Sequence, residues 1–245
     1  MMKRMLVVGG ANGIGLSIAT EFAKTAECEK VYIVDKAEVA PEFLNTKFEA
    51  FQFDLTSEDY SFFDQFHDID SLMITAGFGK LALFKDVSES YISQSFAVNS
   101  IAPIRVIHHY MNKLQSDKDF FCGVMVSIAG FMSSPFFAVY GATKAALKIF
   151  IESVNVELEK NGSSNRILNV SPGSLKGTSF TNAKTDLSVT APMANMIIEH
   201  LKAKDDLFIP QYDEVFKHVL ARYQNDFRAE GRHSYDYKVQ SGRIK

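Results

Sequence analysis

The sequence predicts an α/β chain, a mostly parallel sheet doubly wound so that helices cover both faces in three α/β/α layers. Three observations predict it. Short apolar runs alternate with longer segments of helical periodicity along most of the chain. Several runs close on turn residues: Gly9-Gly10, Asp35, Asp54 and Ser171-Pro172-Gly173. The 245 residues are 47% hydrophobic and 22% charged with 6 Pro, which excludes a disordered or low-complexity chain. No composition shift divides them, so residues 1–245 are expected to form one domain.

The elements follow in order. Arg4 to Val8 is the first strand. Lys3 and Arg4 precede apolar residues, but the run breaks at Gly9 and Gly10 without a cleavage pattern, unlike a signal peptide. A helical pattern runs through Ile14, Ile18, Ala19 and Phe22. Val31 to Val34, closed by Asp35, gives the second strand. Phe51 and Phe53, alternating around Gln52 before Asp54, give the third. Leu72 to Ala76, Gly123 to Ser127 and Ile167 to Val170 are the fourth, fifth and sixth, with helices near 88–116 and 140–160. Residues 174–190 are rich in Ser, Thr, Asn and Gly and read as a loop beside a ligand crevice; helix resumes at 191–203. Leu207 to Pro210 reads as a last strand and 211–228 as helix. Residues 229–245 are polar and basic, with no apolar period.

The formal charge of −3 offers no cationic footprint, so nucleic acid is not an expected partner. No run of 18 apolar residues predicts a membrane span. Two cysteines, Cys28 and Cys122, cannot form a disulfide framework and suit a reducing, cytoplasmic setting. The 21 Phe with no Trp point to a Phe-filled core, or to Phe at an interface or substrate pocket.

Gly9, Gly13 and Gly15 form G-x3-G-x-G between a strand and a helix. Glycines there let the backbone approach a pyrophosphate, and the helix N-terminus offers unpaired N–H groups; a turn with no ligand is the plain alternative. Asp35 can accept both adenosine ribose hydroxyls and repel a 2′-phosphate, favouring NAD over NADP, or it caps the next turn. Lys36 beside it and Asn12 in the glycine loop bear on that choice. Asp54 can meet the adenine edge or simply form a turn.

Tyr140 and Lys144 in YGATK share one helical face. An ammonium beside a phenol lowers its pKa and makes it a usable proton donor and acceptor. Ser127 can hold a carbonyl oxygen or alkoxide, and Asn99 can bind water or bend its helix, linking Lys144 to solvent. No HExxH or CxxC set suggests a metal site, and the adjacent His108 and His109 point apart on their helix.

Gly9-x3-Gly13-x-Gly15, Asp54, Asn99, Ser127, Tyr140-x3-Lys144 and Pro172-Gly173 together resemble the classical short-chain dehydrogenase/reductase (SDR) family over residues 4–178. The resemblance implies a Rossmann-type domain with seven parallel strands and a nicotinamide cofactor. It implies a Ser127-Tyr140-Lys144 triad assisted by Asn99. Tyr140 would exchange a proton with the substrate oxygen and Lys144 would hold the nicotinamide ribose. Asn99 would hold a relay water. Asn12, Ile14, Leu55, Ala76, Gly77, Pro172 and Gly173 join Gly9, Gly13, Gly15, Asp35 and Asp54 on the cofactor side. It also implies a homodimer or homotetramer built from the helices near 100–116 and 140–160.

Departures from the family pattern are Val8 where Thr is usual, Ile74-Thr75-Ala76-Gly77 where Asn-Asn-Ala-Gly is usual, and Thr178 one residue late after Pro172-Gly173. The C-terminal Gly-Gly segment is missing, so 211–245 is a divergent helix and tail, and 174–203 is assigned to substrate. Phe131, Phe136, Phe137 and Phe180 flank the expected mouth, which suits an apolar carbonyl compound; a sugar or sugar nucleotide is the other class. Arg228, Arg232, Lys238, Arg243 and Lys245 would solubilise the tail or meet an anionic group. The expected activity is NAD-linked interconversion of a carbonyl and an alcohol. A related epimerase or dehydratase, or a non-catalytic binding protein, are the alternatives.

Overall fold

Seven parallel strands form one sheet: β1 (Arg4–Val8), β2 (Lys30–Asp35), β3 (Phe48–Gln52), β4 (Ser71–Ile74), β5 (Phe121–Met125), β6 (Ile167–Val170) and β7 (Leu207–Phe208). This computed structural model describes residues 1–177, 184–242 and 244. The strand order is β3-β2-β1-β4-β5-β6-β7, so the winding reverses between β1 and β4. A parallel sheet of this kind opens a crevice beyond the strand ends at that reversal.

The helices are α1 (Gly13–Ala23), α2 (Glu89–Phe96), α3 (Ala102–His109), α4 (Met111–Leu114), α5 (Ala138–Lys160), α6 (Leu187–Ala203), α7 (Lys217–Asn225) and α8 (Phe227–Gln240). Successive residues of a strand face opposite sides, and β1 distributes its side chains accordingly. Met5 and Val7 join Leu16, Ile18 and Phe22 of α1 and Ile197, Ile198 and Leu201 of α6 in one core. Leu6 and Val8 join Val106 and Ile107 of α3 and Leu147, Ile151 and Leu158 of α5 in the other. Phe51, Phe53, Phe62, Phe63 and Phe66 interlock with Tyr32 and Tyr60 at one end of that second core. Much of the Phe excess is therefore packing.

Several boundaries differ from the sequence expectation. β3 starts at Phe48, and Asp54 lies beyond its end at Gln52. β5 ends at Met125, which leaves Ser127 in the following loop. The stretch 88–116 is divided by a π-helical turn at Ala97–Ile101, and Asn99 sits inside it; such turns widen a helix by one residue and often mark functional positions. Helix α6 starts at Leu187 and not at 191, because the Asp186 side chain accepts the Ser188 N–H at 3.0 Å and caps it.

The larger correction is C-terminal. A π-helical turn at Tyr212–Phe216 leads into α7, and α8 occupies most of the stretch expected to be an irregular tail. Asp226 caps α8 by accepting the Arg228 and Ala229 N–H groups. The apolar period was missing because the residues α8 buries are charged, Glu230 and Lys238. Among the described residues, no helix is long and apolar enough to cross a membrane.

Candidate active site

The carboxyl ends of β1 and β4 flank the winding reversal, those of β5 and β6 follow on the β4 side, and the chemistry-bearing side chains lie along these ends. After β1, Gly9 and Gly13 take left-handed backbone conformations, φ 88° and 53°. A side chain at Gly9 would strike the Ala76 backbone at 2.4 Å, and one at Gly15 would strike the Gly9 carbonyl at 2.2 Å. The loop thus closes on itself and on the end of β4 only because these residues lack a Cβ. Thr75 supplies the tie that an Asn usually would: its Oγ1 donates to the Gly9 carbonyl at 2.8 Å. Ala76 donates its N–H to the Val8 carbonyl, Gly77 follows, and Ile14 is buried in the core beside α1.

Asp35 ends β2 with its carboxylate on the glycine loop. Oδ2 accepts the Ala11 N–H and Oδ1 the Ala37 N–H, each at 3.0 Å. Asp54 forms a turn: the Thr56 N–H and hydroxyl donate to its Oδ1, and Lys36 donates to its Oδ2 at 3.0 Å. These bonds, Thr56 first, hold the Asp54 pKa at about 2. The Lys36–Asp54 pair is exposed and weak, so Lys36 is committed to little. The Tyr60 hydroxyl donates a hydrogen bond to the Leu55 carbonyl at 2.8 Å.

The second group lies over β5. Beyond Met125, Val126 and Ile128 donate to the Val170 and Pro172 carbonyls, which lays Ser127 beside Pro172-Gly173. A short 3-10 turn at Ile128–Gly130 packs on α5, and a Cβ at Gly130 would meet the Lys144 carbonyl at 2.8 Å. Ser127 Oγ accepts the Ala129 N–H at 3.1 Å and acts on Tyr140 in the direction that favours its tyrosinate. Tyr140, Ser127, Lys144 and Asn99 are all buried.

Burial raises the Tyr140 pKa to about 12, against a lowering influence of Ser127. Burial lowers that of Lys144 to about 8. Burial is the largest influence on both groups, ahead of the expected lowering of the Tyr140 pKa by Lys144. The Lys144 ammonium lies 5.8 Å from the Tyr140 ring centroid and donates to the Met125 carbonyl at 2.9 Å, and desolvation dominates both groups. The Asn99 side chain is engaged by the protein: Oδ1 accepts the Phe78 N–H, and Nδ2 donates to the Phe78 carbonyl and to Thr143 Oγ1, so its amide clamps that backbone. Asn99 and Lys144 nonetheless close around Gly77, where a Cβ would meet each at 3.3 Å.

Three neighbours escaped the sequence reading. Thr185 Oγ1 accepts the Gly13 N–H at 2.8 Å, at the start of α1. Phe216 presses on Gly173, 2.8 Å from where a Cβ would stand. Tyr91 buries its hydroxyl without a hydrogen-bond partner and raises the Tyr140 pKa slightly. None carries a motif, and each is brought in by tertiary packing. Thr178, Phe180, Arg243 and Lys245 lie outside the described residues. Among the described residues, no three His, Cys, Asp or Glu side chains cluster to hold a metal ion.

Comparison with known proteins places this arrangement. The sequence profile of the family described as short chain dehydrogenase matches residues 3–187. The short-chain dehydrogenase RED1 of Pyricularia oryzae is 28% identical over 91% of this chain and 81% of its own length. The uncharacterized oxidoreductase TDA5 of Saccharomyces cerevisiae is 24% identical over 78% of this chain, which spans 61% of that relative's length. A short-chain dehydrogenase/reductase from Burkholderia phymatum, solved with NAD, superimposes with a TM-score of 0.79 at 15% identity, covering 94% of this chain and 95% of its own. An alcohol dehydrogenase from Thermococcus sibiricus, solved with 5-hydroxy-NADP, gives 0.70 at 16% identity over 85% and 96%. With the profile spanning most of its length, the chain belongs to the short-chain dehydrogenase/reductase family of oxidoreductases.

Proposed function

We propose that the chain interconverts a carbonyl and a secondary alcohol on a small molecule by NAD(P)-dependent hydride transfer, with NAD preferred and Tyr140 as general acid and base. The burial of Ser127, Tyr140 and Lys144 together at the end of β5 and the start of α5, with Ser127 favouring the Tyr140 tyrosinate, carries the reading. The glycine cradle fits a dinucleotide: the Gly9-to-Gly15 turn is closed without Cβ atoms at the N-terminus of α1, where the Gly13 N–H already donates to an oxygen, Thr185 Oγ1. Gly13, Asn12 and Ile14 would line the pyrophosphate, Asp35 the adenosine ribose, Asp54 and Leu55 the adenine, and Ala76, Gly77, Pro172 and Gly173 the nicotinamide side. A bound nicotinamide supplies or takes the hydride.

The residues of this chain would then handle the proton. Ser127 donates to the substrate oxygen and holds it beside the Tyr140 hydroxyl. Tyr140 gives its proton to the developing alkoxide, or takes it from the alcohol in the reverse direction. Lys144 would face the negative charge that appears on Tyr140 as its proton leaves, and an ammonium close to a tyrosinate favours the charged form. Asn99 keeps the Phe78 backbone, and through it the floor around Gly77, in register.

Asp35 carries the preference for NAD, since its fixed carboxylate would repel a 2′-phosphate. Exposed Ile101, Ile149 and Val156 on the segments from Ala97 to His109 and on α5 suit a homodimer or homotetramer through that face. Buried, free Cys28 and Cys122 suit a cytoplasmic setting. The test is turnover of NADH and NAD across carbonyl and alcohol panels for the wild type and Tyr140→Phe. A loss of about a hundredfold or more in the variant, with cofactor binding intact, supports the proton role. Unchanged turnover in Tyr140→Phe refutes it, and product formation with no net NADH change indicates an epimerase.

A further inference from the structure

Helix α8 lies outside the matched family region and docks beside the catalytic group. Its Lys238 is buried and donates to Ser134 Oγ at 2.6 Å, the Pro135 carbonyl at 2.9 Å and Ser234 Oγ at 3.0 Å. One turn earlier, Tyr235 stacks on Phe136 with ring centroids 4.6 Å apart. Phe136 takes a left-handed backbone conformation, φ 68°, unusual for a bulky residue. Its carbonyl accepts the Ala82 N–H at 3.0 Å, so the segment is gripped from the β4 side as well.

The gripped residues occupy a decisive place in the chain. Ser134 to Phe137 belong to the connection between Ser127 and Tyr140. Phe137 precedes α5, accepts the Gly141 N–H at 2.7 Å, and holds its ring 5.3 Å from that of Tyr140. A buried ammonium is a costly way to fill space, and an apolar chain would pack as well. What Lys238 adds is three directed hydrogen bonds, two of them to the segment that starts the Tyr140 helix.

We infer that Lys238 is a positioning residue: by binding Ser134 and Pro135 from α8 it sets the strained Ser134–Phe137 segment, and with it the placement of Tyr140 against Ser127. The inference rests on the catalytic reading above. Its test combines kinetics with amide hydrogen exchange, which needs no substrate. Lys238→Met keeps the apolar stem, Lys238→Arg keeps the donors, and Ser134→Ala removes an acceptor from the opposite side. In Lys238→Met, exchange rises about tenfold or more over residues 134–141 and not in α1, and kcat falls about tenfold or more with NADH affinity unchanged. Lys238→Arg recovers most of both, and Ser134→Ala moves both the same way by less. Unchanged exchange over 134–141 overturns the inference, as does unchanged kcat in an active enzyme or loosening spread over the whole fold. If the wild type turns over no carbonyl or alcohol, the catalytic reading fails, and the exchange result alone then decides whether Lys238 holds the segment.

Discussion

Replacing Lys144 with Met should stabilise the protein near neutral pH, and the gain should fade as pH rises. The folded chain holds the Lys144 pKa at about 8 against an ordinary 10.5 because the ammonium is buried. Below about pH 8 both states carry the proton, so folding bears the full cost of burying the charge, about 3 kcal/mol for a shift of this size. Between about pH 8 and 10.5 the unfolded state binds more protons, so wild-type stability rises with pH. Lys144→Met removes the charge, keeps the stem, and leaves the Met125 carbonyl without its 2.9 Å donor, a loss of about 1 kcal/mol. The variant should therefore be about 2 kcal/mol more stable near pH 7, and the advantage should fall by about 2 kcal/mol by pH 9.5. Urea unfolding of both proteins at the two pH values measures this. A variant less stable at neutral pH, or a gap independent of pH, would refute the burial argument.

Three further outcomes follow from the site. Gly15→Ala places a methyl 2.2 Å from the Gly9 carbonyl and 2.3 Å from Thr75 Oγ1, so thermal unfolding should report a loss of about 1–3 kcal/mol with weakened NADH binding; a neutral variant would contradict the closed-loop geometry. Thr75→Val removes the hydroxyl that ties the glycine loop to β4 and should cost about 1 kcal/mol by the same assay. Ultraviolet titration of the wild type against Tyr140→Phe should show no variant-sensitive tyrosinate absorbance below about pH 10, since burial holds the Tyr140 pKa near 12; a tyrosinate signal near neutrality would mean that Lys144 dominates.

The parts legible in the sequence were those with local signatures. Arg4–Val8 and Ile167–Val170 stand where their apolar runs predict. The glycine cluster, Ser127, Tyr140 and Lys144 announce themselves by residue type and spacing. Asn99 was visible as an oddity in a helix, and a π-helical turn is the physical form that oddity takes. Charges and side-chain partners were not legible. The Tyr140 and Lys144 shifts depend on how much water the surrounding core removes, and the Asn99 amide turns to Phe78 because the loop after β4 returns there. Helix α8 was hidden for a related reason: its buried positions are Glu230, paired with Arg222 at 2.7 Å, and Lys238, and no hydrophobic period can reveal them.

We propose a nicotinamide-dependent oxidoreductase in which Asp35 selects NAD. Side-by-side binding of NADH and NADPH to the purified protein, followed by nicotinamide fluorescence or calorimetry, tests it most directly. Saturable binding of both with NADH tighter is the result expected of the Gly9-to-Gly15 cradle and the Asp35 carboxylate. Tighter NADPH binding would make Lys36, released from Asp54, the reader of a 2′-phosphate. Binding of neither would contradict the account at its root.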